Sequence, residues 1–220
     1  MKLVSVNVGL PQNVVWHERT VTTGIFKNPV GGRVGLTKLN LDGDRQVDLT
    51  VHGGEHKAVY LYPAEHYDYW KTELPGIQLP FGMFGENLTT EGLLEQSVHI
   101  GDELAVGSVR LTITQPRMPC YKLGLKFQSD EMIKRFLASG RSGFYALVSL
   151  EGEVGAGDEI TITARDQHAV SISEITGLYV AKHFTEPDIA TVRRALLVAA
   201  LPESWKQYFR DRLEGVADPV

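Results

Sequence analysis

The sequence predicts a mainly β domain followed by a small helical domain, and two observations support this division. All but two of the 22 glycines precede residue 170, where short apolar segments alternate with Gly/Asp turns. Regularly spaced strands with such turns favour a closed or nearly closed β-barrel over βαβ units. From about residue 171 the apolar residues recur at helical spacing instead. We therefore expect a β-barrel domain at residues 1–165 and a three-helix domain at residues 171–220.

Six short segments of the first region have the composition of strands, namely 3–8, 57–62, 98–100, 108–114, 145–150 and 159–163. Two of the turns beside them repeat the pair Gly-Asp, at Gly101-Asp102 and Gly157-Asp158. Glycine permits positive φ, and aspartate hydrogen-bonds its own backbone. We expect both pairs to form corners of the sheet and assign them no chemistry.

Two helices are predicted within the strand-rich region. The first, residues 63–71, has a proline in its first turn and ends before another proline, with Tyr67 and Trp70 facing the core. The second, residues 129–139, begins at a serine cap and ends at Gly140. Both interrupt the strands without changing the fold class.

Three helices are predicted for the tail. Ser171 or Ser173 caps the first, Thr185-Glu186-Pro187 opens the second, and Leu201-Pro202-Glu203-Ser204 opens the third. Three short helices also suit a helix-turn-helix DNA binder, but this tail has six Lys/Arg against seven Asp/Glu. Because a basic surface is missing, DNA binding is disfavoured. We expect the tail either to cover a pocket as a lid or to form a homodimer contact.

Composition limits the class of protein. Hydrophobic residues make up 43% and charged residues 22% of the chain, as in ordinary globular proteins. No apolar run approaches the ~20 residues of a membrane helix. The chain starts with strand-like alternation rather than a signal peptide and has one cysteine, so we expect a cytoplasmic protein. A net charge of −5 argues against bulk nucleic-acid binding, so an anionic ligand needs a local basic pocket.

Cys120 is the single cysteine of the chain. A lone thiol forms no internal disulfide, which leaves the roles of metal ligand, nucleophile or redox group. The nearby cations Arg117 and Lys122 favour thiolate over thiol, and Pro116 and Pro119 hold the segment extended and prevent a helix there. The alternative is a small buried hydrophobic side chain, the usual state of a free cysteine.

His52-Gly53-Gly54 is a second candidate. Adjacent glycines expose backbone N–H groups that can hold an anion, and His52 could donate to phosphate or act as an acid or base near neutral pH. The alternative is a hairpin turn with a surface histidine. His52 and His56 have the spacing of a zinc pair on a helix, but the glycines between them argue strongly against a helix.

Two further loops carry candidate residues. One is rich in glycine and contains Lys27, Asn28 and Arg33, whose donors suit a phosphate, although the spacing of a Walker loop is absent. Its alternative is a solvated surface loop. The other loop, residues 81–89, contains Glu86 and Asn87. Asn87 is expected to orient a neighbouring loop or a ligand, and Glu86 is expected to be structural.

The order of these motifs resembles the MOSC family, which is named for the C-terminal domain of molybdenum-cofactor sulfurase. The similarity is spread over residues 1–165, and the tail resembles the three-helix appendage of the YiiM-type branch. The matching segments are Asp44-Arg45-Gln46-Val47-Asp48, His52-Gly53-Gly54, Tyr62-Pro63-Ala64-Glu65-His66-Tyr67 with Trp70, Phe84-Gly85-Glu86-Asn87-Leu88, Gln115-Pro116-Arg117-Met118-Pro119-Cys120 and Gly140-Arg141-Ser142-Gly143-Phe144-Tyr145.

This resemblance implies a β-barrel whose pocket holds the molybdenum cofactor, a pterin with two dithiolene sulfurs and a phosphate. Cys120 stands at the position of the family's metal-ligating cysteine. His52 is the candidate proton donor, and Arg117 would anchor the cofactor or tune the thiol. The candidate cofactor contacts are Lys27, Asn28, Arg33, His52, Gly53, Gly54, Asn87, Arg117 and Cys120.

The function that the resemblance implies is cofactor-dependent reduction of N-hydroxylated bases such as 6-hydroxylaminopurine, a detoxification activity. The sequence has no flavin, haem or iron–sulfur motif, so electrons would come from a separate redox protein. Two alternatives stay open. One is a carrier that holds the cofactor without turnover, and the other is a cofactor-free hydrolase with Cys120 as the nucleophile.

Overall fold

The computed structural model describes residues 1–47 and 53–215. Its strands are β1 (Lys2–Val8), β2 (Gln12–Trp16), β3 (Arg19–Thr23), β4 (Asn28–Val30), β5 (Val34–Leu36), β6 (Val59–Pro63), β7 (Leu88–Glu91), β8 (Glu103–Val106), β9 (Val109–Pro116), β10 (Phe144–Leu150), β11 (Gly152–Val154) and β12 (Ile160–Ala164). Its α-helices are α1 (Glu65–Glu73), α2 (Tyr121–Phe127), α3 (Glu131–Ser139), α4 (Ile172–Val180), α5 (Glu186–Leu197) and α6 (Glu203–Leu213).

An eight-stranded sheet forms the body of the protein. Its strand order is β12-β8-β9-β10-β6-β7-β1-β4. Only the β6–β7 pair is parallel, and the other neighbouring strands of this sheet are antiparallel. Two small ribbons, β5–β11 and β2–β3, accompany it. The structure is therefore mixed α/β with a sheet-rich body and C-terminal helices.

The predicted closed barrel is not confirmed. Within the described residues the sheet has an open strand order, with β12 and β4 at its edges. The start of β1 does contact the turn before β12, through a bridge between Lys2 and Glu159. The Leu3 N–H also donates to the Asp158 carbonyl at 2.9 Å. These contacts bring the start of β1 next to the turn before β12, but they form an isolated bridge rather than a strand pair.

Most of the predicted strands correspond to observed ones. The exception is the segment 98–100, where His99 forms only an isolated bridge with Ser171. The two Gly-Asp corners are confirmed, because Asp102 accepts from the His99 N–H and Asp158 accepts from the Gly155 N–H, both at 2.9 Å. The β2–β3 hairpin was not predicted.

The predicted helices are also present, with one correction to a cap. Ser171 forms a capping box with Glu174, and Thr185 forms one with Asp188. Helix α3, in contrast, has Asp130 at its N-cap and no side-chain cap hydrogen bond, so the serine cap predicted there is wrong.

Helix α2 corrects a second expectation. The prolines hold the segment up to residue 119 extended, but α2 begins directly after Cys120. Proline restricts its own φ and the residue before it, so its influence stops at Pro119. Cys120 itself is extended, with φ −130° and ψ 173°, and lies at the boundary between the loop and the helix.

An aromatic cluster packs α1 and α3 against the sheet. Trp70 is fully buried and donates its indole N–H to the Tyr62 hydroxyl at 2.8 Å. Its ring stacks on Phe136 with centroids 6.0 Å apart and planes 7° apart. Tyr67 is buried beside it, as predicted. A second, mainly aliphatic core joins the sheet to the C-terminal helices.

No helix in the two described ranges is long and apolar enough to cross a membrane.

Replacing Trp70 with alanine should destabilise the protein strongly. The change removes a fully buried indole and leaves the Tyr62 hydroxyl without its donor. We expect a loss of about 3–5 kcal/mol in the free energy of unfolding, measured by urea denaturation. The control is Leu197→Ala, because Leu197 is 65% exposed and should change stability by no more than about 0.5 kcal/mol. Equal effects of the two changes would contradict this account of the core.

Candidate functional site

A cavity of about 680 Å³, including its open mouth, lies where several loops meet one end of the sheet. Five basic side chains and one carboxylate line its described wall, together with a thiol. They are Lys27, Arg45, Lys57, Arg117 and Lys122, Asp44, and Cys120. The imbalance of charge makes the cavity suited to an anion.

Cys120 is half-buried at the cavity wall. Its carbonyl accepts from the Leu123 N–H at 2.9 Å, which fixes it at the start of α2. Burial lowers the pKa of Lys57, and the interaction of Lys57 with the nearby Cys120 opposes that effect. A cation near a thiol favours its thiolate form. The thiol is therefore placed where it can bind a metal or a ligand.

Arg117 is the most deeply buried cation of the cavity, with only 5% of its surface exposed. Its guanidinium lies 5.1 Å from the ring centre of Phe136 and 5.6 Å from that of Tyr60. The Nη1 atom is buried and has no hydrogen-bond partner among the described residues. An arginine stays charged in proteins. A buried amino group without a partner, on a charged residue that lines a cavity, indicates a place for an anionic ligand.

The backbone around Gly143 holds Arg117 in place. The Arg117 N–H donates to the Gly143 carbonyl at 3.3 Å. The Gly143 N–H donates to Glu95 at 2.7 Å, and Nε2 of His66 lies 2.8 Å from the same carboxylate. Gly143 has a φ of 59°, and a Cβ there would lie 2.5 Å from the Leu61 carbonyl oxygen. Glycine is therefore required at this point.

Lys27 and Asn87 are held together by Asp44. The Lys27 ammonium donates to both carboxylate oxygens of Asp44 at 2.5 Å, and the Asn87 amide donates to one of them at 2.8 Å. Asn87 also accepts from the Tyr60 N–H at 3.1 Å. Burial lowers the pKa of Lys27, while Asp44 opposes that effect. Lys27 therefore adds less net charge to the cavity than Arg117 does.

Lys126 connects two loops beside the cavity through hydrogen bonds. Its ammonium donates to the Ile25 carbonyl at 3.0 Å and to the Gly82 carbonyl at 2.6 Å. Burial lowers its pKa to about 8. The nearby Glu86 is fully buried and accepts from the Gly82 N–H at 2.7 Å and from the Tyr67 hydroxyl. Glu86 is thus structural, as predicted.

Two phenols, Tyr60 and Tyr145, complete the wall beside Arg117. Their ring centres are 5.3 Å apart, and the Tyr60 hydroxyl donates to the Ser142 carbonyl at 2.8 Å. Burial raises the pKa of both phenols, and the charge of Arg117 opposes this. Both therefore remain neutral near pH 7 and do not cancel the positive charge of the cavity.

The structure brings together four of the predicted site residues, Lys27, Asn87, Arg117 and Cys120. Two others lie outside the cavity lining. Arg33 donates to Asp158 at 2.7 Å and to the Glu153 carbonyl at 2.7 Å, so its charge is already paired. Asn28 lies exposed in β4, one of the two edge strands of the sheet.

The Gly53-Gly54 turn also differs from its prediction. Neither glycine lines the cavity, and the Gly54 N–H donates to Oε1 of Gln46 at 3.1 Å. That N–H is therefore engaged within the protein rather than directed at an anion. His52, the candidate proton donor, lies outside the described residues.

Several cavity residues were not identified from the sequence. Asp44 and Arg45 belong to a motif of the family resemblance but are not among the predicted contacts, and Lys57, Tyr60 and Tyr145 fall in predicted strands. A lysine at a strand start and a tyrosine in a strand have no distinctive local pattern. Only the Asp44-Arg45-Gln46 motif carried a signal for this part of the wall.

Comparisons with known proteins fit this arrangement. The model of the MOSC domain matches residues 48–161, which include Lys57, Arg117, Cys120 and Tyr145. The model of the YiiM-like, 3-alpha helix domain matches residues 178–215. The chain belongs to the MOSC family, in its YiiM-type branch.

Individual MOSC relatives support this assignment. Protein YiiM of Escherichia coli (strain K12) is 35% identical over 192 residues, 86% of this chain and 84% of that protein. The crystal structure of YiiM from Geobacillus stearothermophilus has a TM-score of 0.79 and 34% identity, and covers 96% of this chain and 98% of that one. A protein named reductase from Gibberella moniliformis is 33% identical over 148 residues, 66% of this MOSC chain and 26% of that protein.

The lowered pKa of Lys126 predicts how stability depends on pH. Between its folded value of about 8 and its usual value of 10.5, the unfolded chain binds a proton that the folded chain has lost. This lysine therefore makes the free energy of unfolding rise with pH across that window, by up to about 1.4 kcal/mol per unit.

We expect the difference between wild type and Lys126→Met, measured by urea unfolding from pH 7 to 9.5, to grow in favour of the wild type above pH 8. The absolute stability of the variant also changes because two carbonyls lose their donor, so only the slope is diagnostic. Parallel stability curves would show that Lys126 titrates normally in the folded protein.

Proposed function

We propose that this MOSC protein binds the molybdenum cofactor in the Cys120 cavity and reduces N-hydroxylated compounds such as 6-hydroxylaminopurine. The observation that carries the proposal is the unpartnered, buried N–H of Arg117 in a cationic cavity that also contains the chain's single thiol. The thiol suits a metal and the guanidinium suits an anion, so the two together suit a ligand that contains both.

The residues of the cavity fit the chemistry of that cofactor. A soft thiolate binds well in a sulfur-rich metal site, which assigns Cys120 to the metal. Arginine binds phosphate through charged, directional hydrogen bonds, which assigns Arg117 to the anionic part of the ligand. Lys57 and Lys122 provide further positive charge at the same wall.

When bound, the cofactor supplies the two-electron redox chemistry, and the protein supplies binding, orientation and polarity. Reduction of an N-hydroxyl compound consumes two electrons and two protons and releases the amine and water. Protons must therefore reach the departing oxygen. Among the described residues, the neutral phenol of Tyr145 lies at the wall near Cys120, and His52 remains the predicted donor.

We also propose the setting in which the reaction takes place. A separate redox protein would supply the electrons, since the sequence has no motif for a flavin, a haem or an iron–sulfur cluster. We further propose that the substrate is a small molecule, that the protein is located in the cytoplasm and that it forms a homodimer. The protein named reductase, which is 33% identical to this chain over 148 residues, supports the reaction class.

A carrier function is the second candidate, because a carrier needs the same cavity. The open mouth of the cavity would allow release of the cofactor as well as entry of a substrate. Turnover separates the two functions. A carrier retains molybdenum and pterin but reduces no N-hydroxylated substrate with any electron donor, whereas the reductase turns over.

Replacing Cys120 with serine tests the metal-ligand role. We expect cofactor-loaded Cys120→Ser to reduce 6-hydroxylaminopurine about 100-fold more slowly or worse, since even indirect partners of a metal site contribute roughly 10–100-fold. The assay is anaerobic turnover with an artificial electron donor, normalised to molybdenum content. Equal turnover by both proteins would reject Cys120 as the ligand.

Replacing Arg117 tests anion binding, with a second arginine as the matched control. Arg117→Gln removes the buried charged donor and should weaken cofactor retention about 10–100-fold, the expected effect of losing a charged hydrogen bond. Arg33→Gln should retain the cofactor like wild type, because Arg33 pairs with Asp158 outside the cavity. Molybdenum and pterin are measured in protein from a cofactor-producing host. Similar losses in both variants would show a non-specific charge effect.

A further inference from the structure

The C-terminal helices are linked, through one side-chain relay, to a turn that carries part of the cavity wall. Trp205 of α6 donates its indole N–H to Oε1 of Gln115 at 2.8 Å, and Nε2 of Gln115 donates to the His56 carbonyl at 3.4 Å. Both side chains are buried. An indole N–H only donates. The Gln115 amide is therefore fixed with its oxygen toward Trp205 and its amino group toward His56.

The turn that contains the His56 carbonyl also carries part of the cavity wall. His56 lies in the short 3-10 turn Glu55–Lys57, and Lys57 and Ala58 line the cavity. The hydroxyl of Thr114, the neighbour of Gln115 in β9, donates to the same carbonyl at 2.6 Å. The His56 carbonyl thus attaches the turn to β9, and the next residue, Lys57, lines the cavity.

Gln46 holds the opposite side of the turn. It accepts from the Gly54 N–H and donates to the Lys57 carbonyl, both at 3.1 Å. Gln46 itself lies in a loop of the cavity lining, whereas β9 lies inside the sheet. The turn is therefore hydrogen-bonded to a loop on one side and to a strand within the sheet on the other, and the side of Gln115 and Thr114 is the more rigid.

We infer that Trp205 is a positioning residue for the cavity: through Gln115 it holds the turn that places Lys57 at the wall beside Cys120. The C-terminal domain thereby contributes to the geometry of a cavity that it does not line within the described residues. This role concerns the shape of the cavity and does not depend on the reaction.

Hydrogen–deuterium exchange of the full-length protein tests the inference with Trp205→Phe. Phenylalanine keeps aromatic packing against Tyr179 and Phe209 but removes the donor. The amides of Lys57 and Ala58 donate within the turn, so they report on its opening. We expect peptides covering residues 53–60 to exchange about 5-fold faster or more, while peptides of β1 are unchanged.

The matched control is Tyr208→Phe, in the same helix and aromatic cluster. It removes a hydroxyl that donates to the Tyr179 carbonyl and accepts from Arg212, but does not contact Gln115. Exchange at residues 53–60 should equal that of wild type. A wild-type rate in Trp205→Phe, or the same acceleration in Tyr208→Phe, overturns the inference.

Two further variants separate positioning from general stability. Gln115→Leu removes both bonds of the relay while Trp205 stays packed, so it gives the same prediction even if Trp205→Phe folds poorly. In Trp205→Phe the buried Gln115 amide oxygen loses its donor. The double variant Trp205→Phe/Gln115→Leu lacks that amide, so its Tm should be higher than that of Trp205→Phe. Residues 53–60 should nevertheless exchange as fast as in Gln115→Leu alone. Additive accelerations, or exchange that recovers together with Tm, show a structural role only and overturn the inference.

Cofactor content gives a second readout, which rests on the proposed function. Trp205→Phe and Gln115→Leu from a cofactor-producing host should hold several-fold less molybdenum per protein than wild type, and Tyr208→Phe should match wild type. Full retention by a variant whose turn exchanges faster overturns the link to the cavity. If wild type itself holds no molybdenum, the proposed function fails, and the exchange measurements still decide the positioning role.

Discussion

A guanidinium buried among aromatic rings is the constraint on which the rest of the cavity depends. Removing a charge from water is costly unless other groups compensate for it. For Arg117 the compensation comes from two ring faces, each worth about 0.5–2 kcal/mol, and from a hydrogen bond with Tyr145. It is incomplete, because Nη1 has no partner among the described residues. An unsatisfied buried donor costs about 1–3 kcal/mol. An anion in the cavity would remove that cost, so the arrangement is one that favours the ligand-bound state.

The other cations in and beside the cavity have different electrostatic roles, although all look alike in a sequence. Lys27 is neutralised by Asp44, and that pair joins the first glycine-rich loop to Asn87. Lys126 holds two loop carbonyls and has a lowered pKa because of its burial. Both lysines therefore order the loops that surround the cavity. The remaining basic side chains of the described lining are Arg45, Lys57, Arg117 and Lys122, and Arg117 is the most deeply buried of them.

The sequence predicted what short patterns encode and missed what depends on long-range packing. The capping boxes at Ser171 and Thr185 and the Gly-Asp corners are local hydrogen-bond motifs, so they could be predicted from residue order alone. The motif order also located Cys120 and Arg117. Arg33 could not be excluded, because its partner Asp158 is 125 residues away in the chain. Barrel closure is equally non-local, since it depends on pairing between the ends of the sheet rather than on any single strand.

Strand β9 explains how one segment can serve the cavity and the helical domain together. Thr114 and Gln115 hold the turn before Lys57, Arg117 follows two residues later, and Cys120 comes at the start of α2. The strand pairs on both sides, with β8 and with β10, so its backbone has little freedom to shift. Side chains that extend from a doubly paired strand keep a fixed separation from one another. Gln115, which contacts the C-terminal helices, lies in this rigid frame, and Arg117 and Cys120 follow within four residues of its end at Pro116. Lys27 and Asp44, in contrast, approach the same cavity from loops. Contacts that tie those loops to the frame therefore determine how closely the two halves of the cavity fit around a ligand.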